Sequence, residues 1–448
     1  MFLLPDEPAL VPLADPAALP GEPAQATSTD DLPDVGARYV WLMVVASFGA
    51  FMAFITPIAY SLAVRLSQIA PGHDEYLGYV TGAGAAVVVL TGPLLGQASD
   101  RMRTRWGRRR PFIVGGTILG FGALALMATA SSVAVLGLGW VLAQLTWGQA
   151  FGNLQNSQAD RLPEHQRGKV AGLTGFAQQI APVFGVGMAT VIVGQHVPTP
   201  TMNLLLFFVP GVIGALLILA FALFVPEADS RGMVFSDRAT VATLFRKMVF
   251  NPRQHPDYAW NWLGRFLFYV GLTFNTTFTA FFFAQRLGVT IEAVAGTITM
   301  LALLGILAVS AGAIGGGFLS DRLRRRKPFV LASGIVFGAG AVLMALSSSF
   351  VPLVAGSLLT SVGLGLFSAV DQALALDVLP DRTHDAGRYM AIMGFSVSIP
   401  QALAPLIASS IIVIGAGAGS KNYTLLYLIA AGFTTLGGLV ILRIRSVR

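Results

Sequence analysis

The chain has 448 residues, of which 54% are hydrophobic and only 11% charged, with 50 Gly, 24 Pro and no Cys. Soluble domains carry about 25% charged residues, so this composition describes a chain solvated mainly by lipid. The lack of cysteine excludes a disulfide framework, a thiolate zinc site, an iron–sulfur cluster and a cysteine nucleophile. The five histidines, His73, His165, His196, His255 and His384, stand singly in predicted loops, so no metal site and no cofactor is expected. A net charge of +7 raises nucleic acid as a partner, but the charges sit in short bursts between apolar runs, and that placement argues against it.

In chain order, residues 1–38 hold seven Pro, seven acidic residues and Arg38 as the one basic residue. They read as a disordered cytoplasmic tail and lack the basic start of a signal peptide. Twelve apolar runs follow, at 40–64, 76–97, 111–130, 133–157, 170–193, 203–225, 258–284, 293–319, 328–347, 351–376, 388–413 and 424–442. Each is long enough to cross a hydrocarbon core of about 30 Å as a helix. The predicted organisation is an N-terminal six-helix bundle over 39–225, a cytoplasmic linker over 226–257, a C-terminal six-helix bundle over 258–443 and a tail over 444–448. The 32-residue linker is too short to fold as a catalytic domain, so no enzyme is expected. With the amino terminus placed in the cytoplasm, 25 Lys and Arg fall inside and three, Arg65, Arg286 and Lys421, outside, while Arg265 lies within span seven. That asymmetry predicts a multi-pass protein of the cell membrane with both termini cytoplasmic.

The two halves carry the same landmarks in the same order. Gly96-Gln-Ala-Ser-Asp100-Arg101 recurs as Gly317-Phe-Leu-Ser-Asp321-Arg322, Pro111-Phe112 as Pro328-Phe329, Asp160-Arg-Leu-Pro163 as Asp377-Val-Leu-Pro380, and Gly175-Phe176 as Gly394-Phe395, at offsets of 217 to 221. The expected fold is all-α, with twelve transmembrane helices in two pseudo-symmetric six-helix bundles related by an axis along the membrane normal. The loop from Gly96 to Arg109, echoed at Asp321 to Lys327, resembles the signature of the major facilitator superfamily. Its longer form, Asp100-Arg-Met-Arg-Thr-Arg105-Trp-Gly107-Arg-Arg-Arg-Pro-Phe112, together with Thr56-Pro57 in span one, resembles more narrowly the sucrose transporters and the glycoside-pentoside-hexuronide:cation symporters.

An aspartate at a membrane edge can accept hydrogen bonds from the amino-terminal end of a neighbouring helix and pair with arginines. The expectation is a cytoplasmic gate built from Asp100, Arg101, Arg105, Gly107, Arg108, Arg109 and Asp160 in one half, and Asp321, Arg322, Arg325 and Asp377 in the other. Topology and anionic lipid account for the arginines, but not for the two placed aspartates.

Within the spans, Asp371 is the lone acid, about six residues or 9 Å from the cytoplasmic end of span ten. A buried carboxylate is costly unless paired, hydrated or protonated. Arg265 in span seven is its candidate partner, either for proton coupling or as a static clamp, and both readings stand. Span four carries the amide stripe Gln149, Asn153 and Asn156 at i, i+4, i+7, with Gln144 nearby. Amides donate and accept, which suits a hydroxyl-rich solute, although they also bond helix to helix in membranes. Gln178 and Gln179 beside Pro182, Tyr269, Asn275, Gln372, and Gln401 beside Pro400 complete the candidate binding residues. Trp147, placed near a midplane, is a candidate platform for a sugar ring, against the alternative of ordinary packing.

The resemblance also has departures. Sucrose transporters carry a proton-accepting aspartate in mid span four, where this chain reads Trp140-Val-Leu-Ala143-Gln144. Melibiose-type sodium symporters use carboxylates in spans two and four, and neither span has one here. Proton coupling therefore rests on Asp371, with uniport as the alternative. The expected function is alternating-access transport of a sugar or glycoside with a proton, in partnership with the bilayer. The rival is proton-driven efflux of lipophilic compounds, which the amide stripe disfavours.

Overall fold

The computed structural model describes residues 33–194, 199–233, 249–380, 386–417 and 420–446. Residues 1–32 of the expected tail, 234–248 of the expected linker, His196, His384 and the last two residues lie outside the described residues. Among the described residues every regular element is a helix. The first half holds α1 (Ala37–Ile69), α2 (Tyr76–Asp100), α3 (Arg110–Ala128), α4 (Val133–Arg161), α5 (Glu164–Val193) and α6 (Pro200–Phe224). In the second half α7 is a bent pair, Pro256–Thr277 and Thr279–Leu287, followed by α8 (Ala295–Leu323), α9 (Lys327–Leu346), α10 (Phe350–Asp377), α11 (Ala386–Ile411) and α12 (Tyr423–Ile441). Eleven of these are long and apolar enough to cross a membrane, and the bent pair makes up to twelve. Each half has an even number of spans, so the start of α1 and the end of α12 share one end of the bundle, here the terminal end. The opposite one is the far end.

Local chemistry sets the helix boundaries. Ser132, Thr199 and Asn422 cap α4, α6 and α12 by accepting from the amides of Val135, Met202 and Leu425. Proline stands in the first turn of α3, α6, α7 and α9, where a missing N–H is harmless. Several helices run past the apolar runs at the terminal end, α4 to Arg161, α5 from Glu164 and α8 to Leu323. A membrane limits the length of apolar sequence, not the length of the helix that carries it.

The first helix of each half is irregular at matching positions, Pro57 in α1 and Thr277 in α7 being 220 residues apart. Pro57 cannot donate to the preceding turn, and Pro57–Ser61 widens into a π-helix. In α7 no proline stands at the bend. Instead the hydroxyls of Thr273, Thr276 and Thr277 donate to carbonyls one turn back at 2.7, 3.0 and 2.6 Å, and the helix bends by 52° at Phe278.

Between helices in lipid, close backbone approach replaces the hydrophobic effect as the main packing device. At Gly49 of α1, an added Cβ would stand 2.9 Å from the Gly214 carbonyl of α6. The equivalent pair α7 and α12 repeats the device, Gly437 facing the Gly264 carbonyl at 2.7 Å. Val191, Leu223 and Val351 are at least 73% exposed, as a lipid-facing surface requires.

Candidate functional site

The two halves meet at the far end. Gly78 and Gly82 of α2 lie against Pro405, Ser409, Leu406 and Ala402 of α11, while Gly187 and Thr190 of α5 face Thr299 and Gly296 of α8. The hydrogen bonds and ion pairs joining described residues of the halves are also here. Lys421 Nζ lies 2.6 Å from Glu75 Oε2. The Tyr423 hydroxyl donates to Asp74 at 2.7 Å, Ser409 donates to the Glu75 carbonyl at 2.6 Å, and Tyr60 donates to the Glu292 carbonyl at 3.0 Å. Burial pushes the Asp74 carboxyl up, against the Tyr423 hydrogen bond. Burial acts on Glu75 the same way, but hydrogen bonds from Lys421 and His73 outweigh it and hold that carboxyl below its ordinary value.

Toward the terminal end these faces separate. Gly96 is 18 residues from Gly78, five full helical turns, and so shares its face. A Cβ on Gly78 would run into Ser409 and Pro405, whereas a Cβ on Gly96 would meet nothing within 4 Å. Gly172, in the same register with Thr190, and Gly394, near the face of Pro405, are equally open. The bundle is therefore closed at the far end and parted at the terminal end.

The signature loops form an ion cluster within each half. The Arg109 side chain, 6% exposed, reaches Asp100 at 2.6 Å and Asp160 at 3.1 Å, and Arg108 reaches Asp160 at 2.8 Å. Arg109 also donates to Ser99 Oγ at 3.0 Å, and Ser99 donates in turn to Asn153 Oδ1. In the second half Arg326 binds Asp377 at 3.1 Å. Both Arg109 to Asp160 and Arg326 to Asp377 repeat at the 217-residue offset.

Several expected members are elsewhere. Arg105 is exposed and lies over Trp106, its neighbour, at 5.9 Å. Asp321, Arg322 and Arg325 are exposed, and among the described residues Asp321 makes no ion pair, the role expected of Arg325 falling to Arg326. Among the described residues neither aspartate caps a helix. The amino terminus of α3 is capped by Glu227, whose carboxylate accepts from the amides of Arg108, Arg109 and Arg110 at 3.1, 3.0 and 2.9 Å. Gly107, at φ 88°, brings the chain against the Glu227 side chain. Sequence reading missed Glu227; its signal was an acid placed directly after α6, facing a loop of six arginines.

Arg265 and Asp371 do meet. Arg265 Nη1 is 2.9 Å from Asp371 Oδ2, with side chains 13% and 3% exposed. The approach is off the axis of a hydrogen bond: Arg265 Nε and Nη1 and Asp371 Oδ1 have no hydrogen-bond partner. Tyr269, one turn on, has its ring centre 5.8 Å from the guanidinium.

The amide candidates divide. Asn153 is buried between α2 and α4 and donates to the Gln149 carbonyl at 2.9 Å, so it belongs to the Arg109 network and not to a cavity wall. Gln149 is half-buried and Asn156 exposed. Trp147 is 1% exposed, pressed on Gly120 and edge-on to Phe121 of α3, so it is packing between two helices of one half. Asn275 is buried at the bend of α7, its carbonyl accepting from Tyr427 at 3.0 Å. Gln178 is half-buried, while Gln179, Gln372 and Gln401 are exposed. Gln401 stands one turn below Pro405 on the face of α11 where the halves part.

Comparison with known proteins agrees with this architecture. The chain belongs to the major facilitator superfamily, whose sequence pattern matches residues 2–186, 40–316 and 295–448. That places it among transporters rather than enzymes. Over 151 residues it is 33% identical to an uncharacterised MFS-type transporter of Mycobacterium tuberculosis, covering 30% of this chain and 21% of the relative. Over 116 residues it is 28% identical to the general alpha-glucoside permease of Schizosaccharomyces pombe, covering 25% of this chain and 20% of the relative. The matched segments thus span about a fifth of these relatives. Among solved structures, the nucleoside transporter NupG has a TM-score of 0.71 at 12% identity, covering 91% of this chain and 98% of that one. The D-xylose–proton symporter has 0.68 at 14%, with the same coverage. A bacterial homologue of the human lysosomal transporter Spinster, inward-facing and unoccupied, has 0.66 at 16%, covering 92% and 99%.

Proposed function

We propose that the protein is a secondary active transporter, moving a sugar or glycoside across the cell membrane by alternating access in symport with a proton, with both termini cytoplasmic. The observation that carries the coupling is the incomplete ion pair of Arg265 and Asp371. A proton arriving at the unbonded Oδ1 neutralises Asp371 and leaves the guanidinium without its counter-ion. Removing one partner of a buried pair is destabilising until another group takes its place. Oxygen atoms of the solute fit the planar fork of Arg265, so proton and solute favour the same arrangement. With the terminal end in the cytoplasm, as 25 inside Lys and Arg favour, the parted end faces inward and gives Asp371 its route for proton release.

Support for a sugar comes from the alpha-glucoside permease and D-xylose symporter among the similar proteins, and from Gln178, Gln179 and Gln401 with Gln144 as uncharged groups that donate and accept. The test is uptake of labelled mono- and disaccharides into proteoliposomes with and without an inward proton gradient, with a nucleoside and a lipophilic dye alongside. Gradient-driven accumulation of a sugar that vanishes in Asp371→Asn is the expected result. Sugar entry without accumulation makes the protein a uniporter. Movement of only the nucleoside or the dye refutes the sugar reading.

A further inference from the structure

The aromatic platform expected at Trp147 is absent from that position, and α1 supplies a better one. Phe54 of α1 lies parallel to Trp140 of α4, ring centres 5.8 Å apart at 13°. Trp140 is 1% exposed and is itself pressed on Gly84 of α2, where an added Cβ would collide with the indole. One face of Phe54 is thus backed by a rigid stack, while the residue as a whole remains only half-buried.

Beside that ring stands an amide without a protein partner. Gln144, on the same helix as Trp140 and one turn further, is 8% exposed and makes no hydrogen bond among the described residues. Its amide oxygen and nitrogen are not sealed off, so they stay open to a partner that enters beside the ring. One more turn on is Gly148, which leaves the space between them unfilled: a Cβ there would stand 3.8 Å from Gln144 Oε1 and 3.9 Å from Phe54 Cε2 and Cζ. The glycine therefore holds open a concavity bounded by an aromatic ring on one side and a donor–acceptor group on the other.

We infer that Phe54 and Gln144 form the N-terminal wall of the solute site and bind a pyranose ring, its C–H face on Phe54 and a ring hydroxyl on Gln144. The inference rests on the sugar-transport reading. Arg265, Tyr269 and Asp371 belong to the other half, so a sugar held by both sets would bridge the halves, as alternating access requires of a solute that couples them.

The test uses proteoliposome uptake of labelled D-glucose, D-xylose, sucrose and maltose by the full chain. The variants are Phe54→Ala, Phe54→Tyr, Gln144→Leu and Gly148→Val. The expected result is a KM raised about tenfold in Phe54→Ala with maximal rate kept within about twofold, restored by Phe54→Tyr, which retains the ring. Gly148→Val fills the concavity and should raise KM for maltose and sucrose more than for D-xylose. Thermal unfolding of each purified variant separates a lost site from a lost fold, and Phe54→Tyr keeps the comparison when Phe54→Ala unfolds. Wild-type sugar transport with KM unchanged in Phe54→Ala and Gly148→Val overturns the wall while leaving sugar transport intact. Wild-type protein that moves no sugar overturns both.

Discussion

Replacing Lys421 by Ala should open the far end. Its ammonium is 2.6 Å from Glu75, across the line where the halves meet, with the two side chains 15% and 12% exposed. Breaking a fully buried pair by removing one partner costs about 3–5 kcal/mol, and an exposed pair is worth about 0–1 kcal/mol. The partial exposure, and the second hydrogen bond to Glu75 from His73 at 2.9 Å, place this pair at about 2 kcal/mol. The exchange between Lys421 and Gln285 at 2.9 and 3.0 Å uses the Lys421 backbone and survives the substitution. Because the pair exists only while the far end is closed, its loss moves the population toward far-end-open states by about thirtyfold. The chain has no native Cys, so spin labels at Tyr79→Cys and Val413→Cys report the far end, and labels at the exposed Trp106→Cys and Leu323→Cys the terminal end. In Lys421→Ala the far-end distance should lengthen and the terminal-end distance shorten, with Glu75→Gln acting in the same direction. Unchanged distributions at both ends in a folded Lys421→Ala protein would refute the reasoning.

The same labels test a pH dependence. Burial raises the Asp74 carboxyl in the closed arrangement, so that arrangement holds the proton more tightly than an opened one, and acidification through the raised value favours closure. Glu75 is held low by Lys421 and His73 despite its burial; its contribution is present above the ordinary glutamate value and is lost as pH falls through the lowered one. The far-end distance should therefore tighten slightly and then release on acidification, and a monotonic response would contradict the assignment, His73 and Tyr423 being the other groups facing the pair. Glu227→Ala removes the anion at the start of α3 and the three amide bonds it accepts; a loss of about 1–2 kcal/mol should lower the thermal midpoint. Gly96→Leu meets open space in this arrangement, so it should leave the thermal midpoint unchanged yet abolish uptake by blocking closure of the terminal end, which wild-type rates would disprove. Trp147→Phe should alter stability but not solute KM.

The parts legible in the sequence were those set by hydropathy and scarcity. Twelve apolar runs give twelve crossings whatever the packing, and Asp371 and Arg265, the acid and the base within the spans, had few other ways to be satisfied. What pattern alone left open is azimuth. Trp147 and Gln144 are three residues apart on α4, yet the first turns to α3 and the second toward Phe54, because helical spacing groups residues by face without saying which neighbour each face meets. The bend in α7 was hidden for a related reason: threonine hydroxyls bent it, and threonine is no breaker in a span. The internal repeat, however, held more than topology. Arg109 aligns with Arg326 at the offset that relates Pro111 to Pro328 and Asp160 to Asp377, and that register selects Arg326 over Arg325 as the partner of Asp377 before any coordinates. The far-end pair is different in kind. Glu75 has an acid 217 residues on, Glu292, but Lys421 falls at Leu204, so the pair itself is not duplicated, since a contact between the halves joins two unlike places in a pseudo-symmetric chain. The symmetric clusters hold each half together, and the asymmetric contacts hold the halves to each other. It follows that substitutions shifting the balance between open and closed ends should concentrate at positions the repeat does not duplicate.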